Sequence, residues 1–120
     1  METCLRDIAI AAAQFEHVDG DKARNLATMD ELVGRAKASG AEVVSFHECC
    51  ISGYTFLQSL TRQQLVELAE PVPSGPSCAA LQEMARRHGV GCVLAGLIEV
   101  DEHGKLFNTY VAVTPEAGVI

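Results

Sequence analysis

At 120 residues, with 48% hydrophobic and 21% charged side chains, the chain has the composition of one small globular domain and not of a disordered segment. The formal net charge is −7 and the densest basic stretch is Arg86-Arg87, which excludes the counterion-displacing surface of a nucleic-acid binder and docking on anionic lipid. No apolar run reaches the roughly 20 residues that a bilayer-spanning helix needs.

In chain order, "CLRDIAIAAAQF" reads as a short strand buried on both faces, because it is apolar without alternation and bounded by charge. Asp7 before "IAIAAA" and Gln14 after it argue against a signal-peptide core. Asp19-Gly20-Asp21 supplies cap chemistry for a helix carrying Leu26, Met29, Val33 and Ala36 at helical spacing, which Gly40 ends. "AEVVSF" is a second strand that delivers the chain to His47 and Glu48. A polar loop follows, then a short helix around Thr61 to Glu70. "PVPSGPS" is a rigid connection that also starts the next helix, with proline in its first turn and serine as cap. That helix places Leu81, Met84, Ala85 and His88 on one stripe and stops at Gly89. "GVGCVLAGLIEV" is a third strand, "DEHGK" a turn that wants a positive φ at Gly104, and "LFNTYVAV" a returning fourth strand. "TPEAG" turns again, and Val119-Ile120 begins a further apolar segment.

This order predicts an α/β fold: two helical crossovers giving parallel neighbours, a hairpin adding an antiparallel one, and helices on one face of the mixed sheet. The other face also reads as apolar, because the first and third strands lack polar alternation. No element remains to cover it, so the chain reads as a piece of a larger fold.

The chemistry concentrates in "SFHECCISGY", Ser45 to Tyr54. Glu48 directly follows a buried strand, where a carboxylate is desolvated unless partnered, and burial moves it toward the range of a general base. His47 is either a satisfied structural histidine or a titratable neighbour of that base. Cys4, Cys49, Cys50, Cys78 and Cys92 form an odd, irregular set and read as reduced, mostly buried packing thiols of a cytoplasmic protein. A metal site from His47, Glu48, Cys49 and Cys50 is rejected, since adjacent strand side chains point to opposite faces and His17, His88 and His103 are single and unpaired. The same divergence argues against a Glu48–Cys49 pair, so Glu48 needs a nucleophile from elsewhere. No metal or other cofactor is expected.

"VVSFHECCISGY" resembles the first signature of the nitrilase superfamily, the carbon–nitrogen hydrolases: hydrophobic strand, Phe-Pro-Glu, a variable stretch, then Gly-Tyr. "IAIAAAQF" is similar to the family's opening strand, the helix after Asp19 to its first helix, and "VLAGLIEVDEHGKLFNTYVAVTPEAGVI" to its segment of Gly-containing strand, turn, aromatic-Asn-small, strand and Pro-x-x-Gly turn. The resemblance covers essentially residues 1–120, but only the N-terminal portion of the family's single domain. It implies a four-layer α-β-β-α sandwich and a Glu-Lys-Cys triad acting on a small nitrile, amide or carbamoyl compound, in a protein that forms homo-oligomers. Glu48 falls on the triad glutamate and Tyr54 on a residue that lines or supports the pocket. Gly53 completes the Gly-Tyr motif, and Asn108 falls on the family's strand asparagine, for which a structural hydrogen-bonding role is expected.

Two departures matter. His47 replaces the usual proline, removing a fixed φ and adding a titratable group. The family's lysine follows the Pro-x-x-Gly turn, and its cysteine comes later still. Lys22, Lys37 and Lys105 are not in that context, and none of the five cysteines is, so this chain alone is expected not to catalyse. The competing reading is a non-catalytic half-domain that covers its apolar face by self-association.

Overall fold

The computed structural model describes residues 5–120, so Cys4 and the start of the first expected strand lie outside the described residues. The elements are β1 (Ile10–Ala12), α1 (Lys22–Ala38), β2 (Val43–Ser45), a 3₁₀ helix (Thr55–Ser59), α2 (Arg62–Leu68), α3 (Pro76–His88), β3 (Cys92–Val100), β4 (Leu106–Thr114) and β5 (Gly118–Val119). The strands form one five-stranded sheet in sequential order. The pairs β1–β2 and β2–β3 are parallel, and β3–β4 and β4–β5 are antiparallel. The expected mixed sheet is therefore present. The unfinished apolar segment at the end of the sequence turns out to be a fifth strand that extends the hairpin edge.

Local chemistry accounts for the helices. The Asp21 side chain accepts the Arg24 N–H at 3.1 Å and caps α1, and Thr61 with Gln64 makes a reciprocal capping box at the start of α2. Gly89, in the left-handed region at φ 72°, closes α3. The start of α3 departs from the expected serine cap: the cap position is Gly75 and Pro76 follows it. A Cβ at Gly75 would lie 2.6 Å from the Pro71 carbonyl oxygen, so no side chain fits there. The carboxylate of Glu70 caps from outside instead. It accepts the Ser77 backbone N–H at 2.7 Å and the Ser77 hydroxyl at 2.5 Å, and the Lys22 Nζ donates to it at 2.9 Å. This buried carboxylate ties the first turn of α1 to the first turn of α3.

One face of the sheet holds the core. Val44, Val93, Ala95, Leu97, Val111 and Val113 alternate toward Met29 and Val33 of α1 and Leu81, Met84 and Ala85 of α3. The opposite face is largely uncovered. β1 is not buried on both faces as its sequence suggested: Ile10 is 65% exposed, because no second layer lies over it. Tyr110, on the same face of β4, is 49% exposed. A small satellite cluster of Cys49, Ala69 and Ile98, with Leu57, Val100 and Leu106 against it, covers only one end. No helix among the described residues is long and apolar enough to cross a membrane.

Candidate functional site

The site is built where β2 leaves the sheet. Phe46 still donates its N–H to the Leu94 carbonyl at 2.9 Å, and then residues 48–52 turn back across β3. Cys49 takes φ 51°, unusual for a residue with a side chain, and the Gly53 N–H closes the turn on the Cys49 carbonyl at 2.8 Å. The Ile51 N–H bonds the Gly96 carbonyl at 3.2 Å, pinning the turn to the strand beneath. Gly96 makes this possible: a Cβ there would lie 2.3 Å from the Cys49 backbone nitrogen.

Glu48 thus sits in a turn on the uncovered face and is exposed, not buried as its position after the strand suggested. Its Oε1 accepts a short, charge-assisted bond from Asn108 Nδ2 at 2.5 Å. The Cys49 thiol faces the same asparagine, donating to Oδ1 at 3.5 Å. Strand geometry predicts that Glu48 and Cys49 diverge; the turn overrides it and brings both to Asn108. Two residues along β4, the Tyr110 hydroxyl donates to the Phe46 carbonyl at 2.6 Å, fixing the chain just before the turn. Gly53 is buried, and Tyr54 stands half-exposed at the rim of a cleft of about 530 Å³ that Asn108 also lines.

Cys49 and Cys50 are fully buried, and burial pushes both thiols up to about 11. Burial, with Glu70 and Glu99 as lesser causes, also raises Cys78. Thiols so placed are protonated at neutral pH and act as packing groups. Cys92 is only partly buried.

Sequence spacing gave no hint that His17 has a partner, yet its Nδ1 lies 3.2 Å from His47 Nε2 and its Nε2 lies 3.4 Å from an Asp19 carboxylate oxygen. His88, also read as unpaired, bonds Asp30 at 2.9 Å. Asp19 is a near neighbour of His17 in sequence, but the His17–His47 and His88–Asp30 pairings join segments far apart in the chain, so no local pattern could announce those two. Among the described residues no group of three or more His, Cys, Asp or Glu could hold a metal ion. His47 Nδ1 is buried without a hydrogen-bond partner. Burial first, and the neighbouring His17 second, lower the His47 pKa from 6.5. The folded state therefore binds fewer protons than the unfolded one, and stability falls as pH drops below about 6.5 toward the lower folded value. Urea melts of His47→Phe between pH 7 and pH 5 should show a flatter acid limb than the wild type; an unchanged limb would refute the assignment.

A family model for carbon-nitrogen hydrolases matches residues 9–119. The chain belongs to the carbon-nitrogen hydrolase family. Over 92 residues it is 33% identical to a nitrilase from Pyrococcus abyssi, a match covering 77% of this chain and 33% of that protein. An N-carbamoylputrescine amidase from Solanum lycopersicum is 33% identical over 85 residues, 71% of this chain and 27% of the relative. Among solved structures, an amidase from Nesterenkonia sp. superposes on 94% of the chain and 40% of its own length with a TM-score of 0.71 at 19% identity. An N-terminal amidase superposes on 92% of the chain and 26% of its own length with a TM-score of 0.76 at 19% identity. These superpositions establish the fold as that of the family's amidases. The chain spans a third or less of the length of the two curated relatives.

Proposed function

We propose that residues 1–120 form the N-terminal portion of a single carbon–nitrogen hydrolase domain whose whole protein hydrolyses a non-peptide C–N bond of a small nitrile, amide or carbamoyl compound. Glu48 is the general base of a Glu-Lys-Cys triad, Tyr54 belongs to the substrate pocket, and Gly53 and Asn108 shape the turn and hold the carboxylate. The observation that carries this reading is the Glu48 carboxylate anchored at 2.5 Å by Asn108, an asparagine that also lines the adjoining cleft. In the reaction the family resemblance implies, Glu48 takes the thiol proton and the thiolate attacks the substrate carbon. The lysine stabilises the charge that develops; from an amide or carbamoyl compound the amine or ammonia then leaves with a proton, whereas the thioimidate formed from a nitrile first adds a water and then releases ammonia. Water activated by the same glutamate then releases the acid from the acyl-enzyme.

Within these 120 residues the two other roles are unfilled. Lys22 is held by Glu70, Lys37 lies in the last turn of α1 and Lys105 lies over the Phe107 ring. The buried thiols of Cys49, Cys50 and Cys78 are protonated, and none of the five cysteines follows the Pro-x-x-Gly turn as the family's cysteine does. The chain alone is therefore inactive toward short amides and nitriles, and Glu48-dependent ammonia release from it would overturn that statement. The decisive test is a chimera in which this chain replaces the matching stretch of the Pyrococcus abyssi nitrilase. It should release ammonia, and Glu48→Gln should cut kcat by about 10² or more, the usual worth of a positioned base. An active chimera indifferent to Glu48→Gln would sink the assignment. The exposed Ile8, Ile10 and Tyr110 favour one second reading, a self-associating half-domain. An inactive chimera, together with a discrete dimer of the free chain that melts cooperatively, would select it.

A further inference from the structure

The turn that carries Glu48 is held by the loop between β1 and α1 as well as by Asn108 and β3. At the exit of the turn, Gly20 donates its N–H to the Ser52 carbonyl at 2.8 Å. The buried Asn25 donates from Nδ2 to the carbonyls of Ile51 and Val18, each at 2.9 Å. The fit is close, because a Cβ on Gly53 would lie 2.7 Å from an Asp19 carboxylate oxygen and 3.0 Å from the His17 ring. At the entry, His17 Nδ1 meets His47 Nε2 at 3.2 Å, and the Phe15 ring stands edge-on to His47 at 5.0 Å. The exit bonds join peptide and carboxamide groups and do not titrate. The entry bond joins two imidazoles, which do so near neutral pH.

The ring nitrogens suit one protonation state. His17 Nε2 lies 3.4 Å from Asp19 and carries its proton toward that carboxylate, which leaves Nδ1 of the neutral ring as an acceptor. His47 Nε2 donates to it, and His47 Nδ1 remains a bare lone pair, buried and unpartnered. A proton on His17 Nδ1 removes the acceptor. Reversing the bond would then move the His47 proton to Nδ1, where a buried N–H finds nothing to accept it. A proton added to His47 itself puts a charge in the same dry position. Because that nitrogen is already closed off within this chain, no layer laid over the sheet can reach it with a partner. The titratable groups around the pair are Asp19 and the exposed Glu16 of the same loop, Glu48, whose carboxylate is turned to Asn108, and Tyr110 of β4, whose hydroxyl is held by the Phe46 carbonyl.

We propose that His17 and His47 are positioning residues for Glu48: the bond between their neutral rings braces the entry of the turn, and protonation of the pair releases it. The inference rests on the reading of Glu48 as the base. Both histidines act through the backbone that leads into Glu48, at the position where the family's signature carries proline. A proline ring fixes that backbone without a proton, whereas this brace holds only while the pair is neutral.

The brace can be read in the purified chain without turnover, by following the imidazole ring protons, the Glu48 backbone amide and the Asn108 side-chain amide from about pH 8 to about pH 5. Both amides should move with the midpoint of the imidazoles. His47→Pro should abolish that movement. His17→Phe, which removes the acceptor, should place both amides at the high pH where the wild type has them at the low one. Amides that stay still while the rings titrate, or that move only with the midpoint of a carboxylate, would overturn the proposal. So would an unchanged transition in either folded variant. In the nitrilase chimera, kcat should fall between about pH 8 and about pH 5.5, and His47→Pro should shrink that fall by about threefold or more with KM unaffected. A chimera that depends on Glu48 yet shows the same fall in His47→Pro would also overturn it. Failure of the catalytic reading looks different. A chimera indifferent to Glu48→Gln removes the base, while the resonances decide the brace separately.

Discussion

Gly96→Ala is expected to destabilise the chain by about 3 kcal/mol, at the upper end of what a single added methyl usually costs in a packed site. The cause is backbone on backbone. The new Cβ would lie 2.3 Å from the Cys49 nitrogen, 3.1 Å from the Glu48 carbonyl carbon and 3.2 Å from the Cys49 Cα. A flexible side chain could swing away, but a peptide unit held by the Ile51 to Gly96 bond on one side and by the Gly53 to Cys49 bond on the other cannot. The turn must lift from β3, which pulls Glu48 away from Asn108. Urea titration gives the stability, and the Asn108 side-chain amide resonance reports the contact. Gly91→Ala is the control, since its Cβ would meet nothing nearer than the Glu42 carbonyl oxygen at 3.3 Å, and its cost should stay within about 1 kcal/mol. A Gly96→Ala chain as stable as the wild type, with an unmoved Asn108 amide, would mean that the turn does not rest on the strand.

This glycine shows where the sequence stops being informative. The period of apolar residues in α1 and α3, the cap at Asp21 and the stop at Gly89 are local, and each could be read from a few neighbouring letters. So could the hairpin at Gly104 and the sequence resemblance around Glu48. A glycine inside an apolar strand signals only that something comes close. That the close object is the Glu48-Cys49 peptide, 47 to 48 residues earlier, depends on β2 and β3 being paired in one register. The same limit hid the pairing of His17 with His47 and the convergence of Glu48 and Cys49 on Asn108. A period-2 rule applied to residues 47–50 assumes a strand, and the strand ends at Ser45. The outer face misled in a different way. Its apolar letters were read correctly, but a letter that wants burial is buried only if a layer exists to bury it, and Ile10 stands open.

Glu70 gave no sequence signal as part of a network, and its replacement should have the largest effect outside the site. Its side chain is 6% exposed and accepts from Lys22 Nζ, the Ser77 N–H and the Ser77 hydroxyl. Burial alone would raise the carboxyl pKa, but the Ser77 hydroxyl, Lys22 and the Ser77 N–H together outweigh it and hold Glu70 below its ordinary 4.5. Glu70→Ala strips α3 of its only side-chain cap, leaves Lys22 without its partner and opens a void beneath the Pro-rich connection. The loss should be about 3 kcal/mol, the lower end of the range for breaking a buried pair, because Lys22 is 26% exposed and can turn to water. Lys22→Met should cost less in the wild type than the Glu70→Ala change does, and the two together should fall short of additive, since they share one interaction. The pH dependence has a fixed sign. A carboxyl whose folded pKa is depressed contributes its full stability above the unfolded value near 4.5, and loses that contribution as pH falls through the lower folded value. The stability gap between wild type and Glu70→Gln should therefore be constant from pH 7 to about pH 5 and shrink below it. A gap that stays constant into the acid range would show that Glu70 acts as a neutral hydrogen-bonding group, and the ion pair with Lys22 would then have no part in holding α1 to α3.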